Sequence, residues 1–157
     1  MKSLIPITLS LLAGFCVCST ADEPADLAVV VNKATGPETV ELGELRQMIL
    51  GERLKWRNDG QVVIAVQTPP DSPERALEMK AVYRMNDSAL RRYYMLAAFN
   101  GKEIAQPRDV ASAAALKKFV ATTPGAIGCI LSSEVDASVK VLKVDGAAPG
   151  EPAYKLR

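Results

Sequence analysis

Apolar residues along this chain follow two rhythms. Residues 27–31, Leu-Ala-Val-Val-Val, form an unbroken and largely β-branched run between Asp26 and Asn32. Such a run predicts a strand covered on both faces, as in a parallel sheet. Residues 61–67 and 126–131 repeat the pattern, whereas 139–144 alternate apolar with polar and predict a more exposed or edge strand. Between the runs the spacing turns helical. Leu42, Leu45 and Ile49 with Gly51 behind them predict a helix over about 42–50. Ser72-Pro73 supplies an N-cap and a first-turn proline for a helix reaching about Arg84. Leu90, Tyr93, Tyr94 and Ala97 define a third helix between Asn86 and Asn100-Gly101, the tyrosines reading as core or rim residues. Ser112 caps a fourth, with Leu116, Phe119 and Val120 on its buried side. Strands alternating with helices predict an α/β domain built on a mostly parallel sheet flanked by helices.

The two ends read differently. Lys2 is the only charge before Asp22, and residues 4–18 are mostly apolar before the small residues Ser19 and Ala21. This is the pattern of a secretory signal peptide cut after Ala21, which implies a periplasmic or secreted protein. The organisation expected is a signal over 1–21, an α/β domain over 22–146, and a tail over 147–157. The tail is rich in Pro, Gly and Ala and is expected to fray.

Composition narrows the chemistry. Loss of Lys2 brings the 19 basic side chains level with the 18 acidic ones. A neutral chain lacks the positive excess needed to hold nucleic acid, and it carries no polybasic membrane footprint. Histidine is absent. That excludes Ser-His-Asp and Cys-His catalysis and histidine-built zinc sites. Two of the three cysteines leave with the signal, so Cys129 has no disulfide partner and reads as a buried small apolar residue. Glu41, Glu44 and Glu52 read as helix-surface charges rather than a catalytic pair. We therefore expect no enzyme, no metal and no cofactor.

One segment stands out as a binding element. Residues 66–75 run from a strand through a polar loop into a capped helix. In α/β sheets ligands bind beyond the carboxyl ends of the strands, which singles out Asn32 and the segment 68–75. Thr68 and Ser72 offer hydroxyl donors, and Arg75 offers a bidentate contact to an oxyanion. A competing purpose for Ser72 is capping its own helix. Thr122-Thr-Pro-Gly-Ala-Ile-Gly128 carries glycines suited to tight turning and close approach of helix to strand. The basic cluster Arg53, Lys55 and Arg57 around Trp56 reads as a solvated loop or a contact patch.

Taken in order, Val29-Val-Val-Asn32, Glu44-Leu-Arg-Gln-Met-Ile-Leu-Gly-Glu52, Lys55-Trp56, Val62-Val-Ile-Ala-Val66 and Thr123-Pro-Gly-Ala-Ile-Gly128 resemble the phosphate-type substrate-binding proteins of ABC transporters. The resemblance is nearest to the short relatives of that family and spans about 27–144. It implies one lobe of a type II periplasmic-binding fold, where full members have two. It also implies a non-enzymatic solute-binding protein, taking phosphate or another oxyanion for transport or sensing. Where the family carries a glycine-serine-glycine-threonine type phosphate loop, this chain has Pro70-Asp71-Ser72-Pro73. Ser72 is the residue carried over, and Arg75 is its neighbour. The alternative is a ligand-free interaction module with an envelope or membrane protein as partner.

Overall fold

The computed structural model describes residues 25–57 and 60–157. The signal expected over 1–21 lies outside the described residues. Six strands form one sheet: β1 (Leu27–Val31), β2 (Thr39–Val40), β3 (Ile64–Gln67), β4 (Arg108–Asp109), β5 (Ala126–Leu131) and β6 (Lys140–Val144). Their spatial order is β2-β6-β1-β5-β3-β4. The pairs β2–β6, β3–β4 and β3–β5 are parallel, and β1 is antiparallel to both β5 and β6. Five strands therefore share one direction, and β1 runs against them near the middle.

Helices cover both faces. On one side lie α1 (Leu42–Ile49), α2 (Pro73–Glu78) with the π-helical turn Met79–Tyr83 that prolongs it, and α3 (Asp87–Phe99). On the other lies α4 (Ala113–Thr122). Leu27, Val29 and Val31 pack with Leu45, Met48, Ile49, Val82 and Tyr83, while Val30 packs with Leu116 and Val120. Both faces of β1 are thus buried, which is why its sequence is continuously apolar. Burial sets that composition whichever way the strand runs, so the run does not report strand direction.

The alternating segment forms β6, which lies one place in from the sheet edge. The two-residue β2 covers it, a strand too short to leave a pattern in the sequence. The segment 147–157 is anchored rather than frayed. Tyr154 and Leu156 are buried. The Leu27 N–H donates to Leu156 O at 2.9 Å, the Tyr154 hydroxyl donates to Leu27 O at 2.5 Å, and Arg157 pairs with Asp26 at 3.0 Å. Two apolar anchors outweigh a loop-like composition.

The glycine motif before β5 behaves as its residues suggest. Gly125 has φ +83°, and a Cβ there would lie 2.2 Å from Val62 O. At Gly128 a Cβ would meet Leu116 Cδ2 at 2.8 Å, so the absent side chain lets α4 sit directly on β5.

Candidate functional site

The carboxyl end of β3 leads into the loop 68–72 and then α2. Thr68 is 1% exposed. Ser72 caps α2 in extended conformation: its Oγ accepts from the Arg75 N–H at 3.2 Å and donates to Thr68 Oγ1 at 2.8 Å. Pro73 follows at the first helical position. The two hydroxyls expected together are therefore joined.

Arg75 stands beside them in sequence but turns inward. Its Nη1 lies 3.1 Å from Glu78 Oε2 and 3.3 Å from the Tyr83 hydroxyl, and its guanidinium sits 4.9 Å over the Tyr83 ring. Glu78 is 2% exposed, and its Oε1 has no hydrogen-bond partner. Burial pushes its carboxyl up to about 7 against the opposing pull of Arg75. Burial and the nearby Glu78 hold the Cys129 thiol well above its usual range, so it stays protonated.

Further carboxylates approach the same region. Glu74, buried in the first turn of α2, neighbours Glu134; burial and then Glu74 raise the Glu134 carboxyl. Beside the loop, Gln67 Nε2 donates to Asp109 Oδ1 at 2.6 Å, bridging β3 and β4. Sequence reasoning missed Asp109 because a two-residue strand carries no periodicity. Glu74 and Glu78 were legible only as polar positions on a helix.

Asn32 lies apart from the others. Val31 pairs with Ile127 at the start of β5, while β3 ends beyond Val66, the partner of Gly128. Because β1 runs antiparallel, its carboxyl end points away from that of β3. Asn32 Nδ2 donates to Val120 O and Ala121 O, both at 2.9 Å, and Oδ1 accepts from the Ala34 N–H at 2.9 Å. This side chain ties the end of α4 to the turn after β1.

A cleft of about 750 Å³ lies at the opposite edge of the sheet, lined among others by Glu38, Glu41, Glu44, Trp56, Arg57 and Asp145. Two cations of the basic loop share one carboxylate: Arg53 and Arg57 approach Glu44 at 3.4 and 3.6 Å. Trp56 is buried and donates Nε1–H to Gly125 O at 3.1 Å. The carboxylate excess makes this cleft unsuited to an anion. Among the described residues no three His, Cys, Asp or Glu side chains converge as a metal site.

No family model matches the chain. It is 29% identical over 127 residues to the phosphate-binding protein PstS of Bacillus subtilis, an alignment covering 78% of this chain and 37% of that one. An ABC-type phosphate transport receptor from Vibrio cholerae has the same fold over 80% of this chain and 48% of its own, with TM-score 0.64 and 22% identity. PstS from Borrelia burgdorferi superposes with TM-score 0.64 at 12% identity, over 80% of this chain and 49% of that one. The chain thus spans less than half the length of these relatives, as one α/β lobe. The resemblance drawn from residues 29–32, 44–52 and 123–128 holds in sequence and in fold. The relatives are named as binding proteins or transport receptors, not as enzymes.

Proposed function

We propose that this chain is an exported, non-enzymatic binding protein of the phosphate type, whose single lobe holds phosphate or a similar oxyanion at the loop from Thr68 to Ser72. One observation carries the reading. The loop lies beyond the carboxyl end of β3, flanked by β4 and β5 running the same way, in a fold shared with phosphate-binding proteins. Ligands of open α/β sheets bind at such ends. Ser72 donates to the buried Thr68 Oγ1, and the pair fixes the loop that meets an oxyanion. Asp71 and Glu74 on the same stretch repel a fully deprotonated anion and accept a hydrogen bond from one that carries a proton. Phosphate is then preferred to sulfate. A lone lobe supplies one wall of a cleft, so affinity is expected in the millimolar range, and transport or sensing needs a membrane or envelope partner to supply more.

The test is thermal unfolding in phosphate and in sulfate. Phosphate at ten times its Kd stabilises the native state by about 1.4 kcal/mol. The expected result is a rise in Tm with phosphate only, abolished by Thr68→Val combined with Ser72→Ala. No rise with any oxyanion would sink the proposal.

A second reading, a ligand-free interaction module in an envelope complex, is favoured by the Arg75–Glu78 pair. The guanidinium best suited to meet an oxyanion is already engaged by a buried carboxyl. Under that reading no oxyanion moves the unfolding curve, and Arg75→Ala changes stability alone.

A further inference from the structure

Four large apolar side chains are exposed among the described residues, and three lie on α3: Met95 (65%), Leu96 (50%) and Phe99 (87%). The opposite side of α3 carries Leu90, Tyr93, Tyr94 and Ala97, which pack toward the sheet or are buried. Met95 and Phe99 are one turn apart on the outer face, and Leu96 borders them. Arg91 and Arg92 precede them by one turn on the same side, and Arg84 ends the π-helical turn just before α3. All three arginines are exposed, and none pairs with a carboxylate among the described residues. Asp87, at the helix start, is the one carboxylate on α3. The face is therefore both apolar and net positive.

Its size favours one kind of occupant. Three such side chains bare roughly 400 Å², whereas a stable protein pair buries about 800 Å² on each partner. A bilayer surface needs no matched counter-surface: apolar side chains enter the acyl boundary while arginines meet anionic headgroups. We propose that α3 is a membrane-surface contact, with Met95, Leu96 and Phe99 entering an anionic phospholipid leaflet and Arg91 and Arg92 holding its headgroup phosphates.

The experiment is co-sedimentation of the chain, recovered from the periplasmic fraction of expressing cells, with phospholipid vesicles at low salt. Vesicles of mixed phosphatidylglycerol and phosphatidylcholine should retain the protein about tenfold better than phosphatidylcholine alone, and added salt should release it. Phe99→Ser should weaken binding about tenfold, and Arg91→Gln with Arg92→Gln by a further several-fold. Both variants should keep the wild-type unfolding curve, since these side chains are exposed. Equal retention on both vesicle types, absence of binding, or binding indifferent to Phe99→Ser would overturn the proposal. A dimer in solution that Phe99→Ser dissociates would also overturn it, by assigning the face to a second copy.

Discussion

Gly125→Ala tests how the chain holds β3 against the start of β5. The residue sits at φ +83°, a conformation that costs an alanine about 1–2 kcal/mol. The new methyl would lie 2.2 Å from Val62 O and 3.1 Å from Gln61 Cγ. That carbonyl has little room to retreat. The adjoining Val63 N–H is bonded to Leu54 O at 2.9 Å, and the Ile64 N–H to Gly125 O at 3.1 Å. Trp56 bonds the same Gly125 oxygen, so relief of the clash disturbs a buried indole as well. The clash adds roughly 2 kcal/mol, for a total near 3–4 kcal/mol. Gly146→Ala is the matched control, because Gly146 has φ +84° and no atom waiting within 4 Å of a built Cβ. Both variants lose the same unfolded-state freedom, so the difference between them isolates the clash. Urea unfolding followed by far-UV circular dichroism reads both. The expected losses are about 1 kcal/mol for Gly146→Ala and about three times that for Gly125→Ala, with unchanged m-values. Equal losses would refute the close approach.

Other outcomes follow from the same contacts. Glu78 has a raised carboxyl, so the folded state binds the proton more tightly than the unfolded state and stability falls as pH rises from about 4.5 through about 7; Glu78→Gln should flatten the unfolding profile between pH 5 and 8, and a profile with unchanged slope would contradict this. Asn32→Ala, which removes one buried and one part-buried hydrogen bond to α4, should cost about 1–3 kcal/mol yet leave any phosphate-induced rise in Tm intact; loss of that rise would return Asn32 to the ligand site. Leu156→Ala should cost about 2–4 kcal/mol in urea unfolding, since the side chain is fully buried; a loss below 0.5 kcal/mol would mean the tail is not part of the core.

The helices were the most legible part of the chain. Ser72, Asn86 and Ser112 all cap the helices their sequences announce, because capping is local chemistry that needs no tertiary partner. Strand existence was legible for the same kind of reason, as the buried runs at 27–31 and 126–131 demonstrate. Strand direction was not, because burial on both faces makes a run apolar however it pairs. The candidate site divided along the same line. Thr68 and Ser72, four residues apart on one loop, come together. Asn32 depended on the direction of β1 and lies at the other end. Arg75 was legible as a charge near the loop, but its inward turn depends on Glu78 one helical turn later and on Tyr83 at the end of the π-helical turn. Tertiary packing decides such a pairing, and residue type alone cannot announce it.

The reversed strand also ties distant parts of the chain together. β1 is the earliest of the described strands along the chain, yet both its hydrogen-bonding edges are filled by β5 and β6, roughly 100 residues downstream. Until those arrive, an uncharged Leu-Ala-Val-Val-Val segment stands with two open edges, the kind of stretch that pairs with whatever strand it meets. A stretch of chain that ends before residue 126 therefore holds neither partner of β1. The sheet is thus wired so that its two halves meet on a strand from the front of the chain, and pairing at its centre requires the front and the rear of the described chain together.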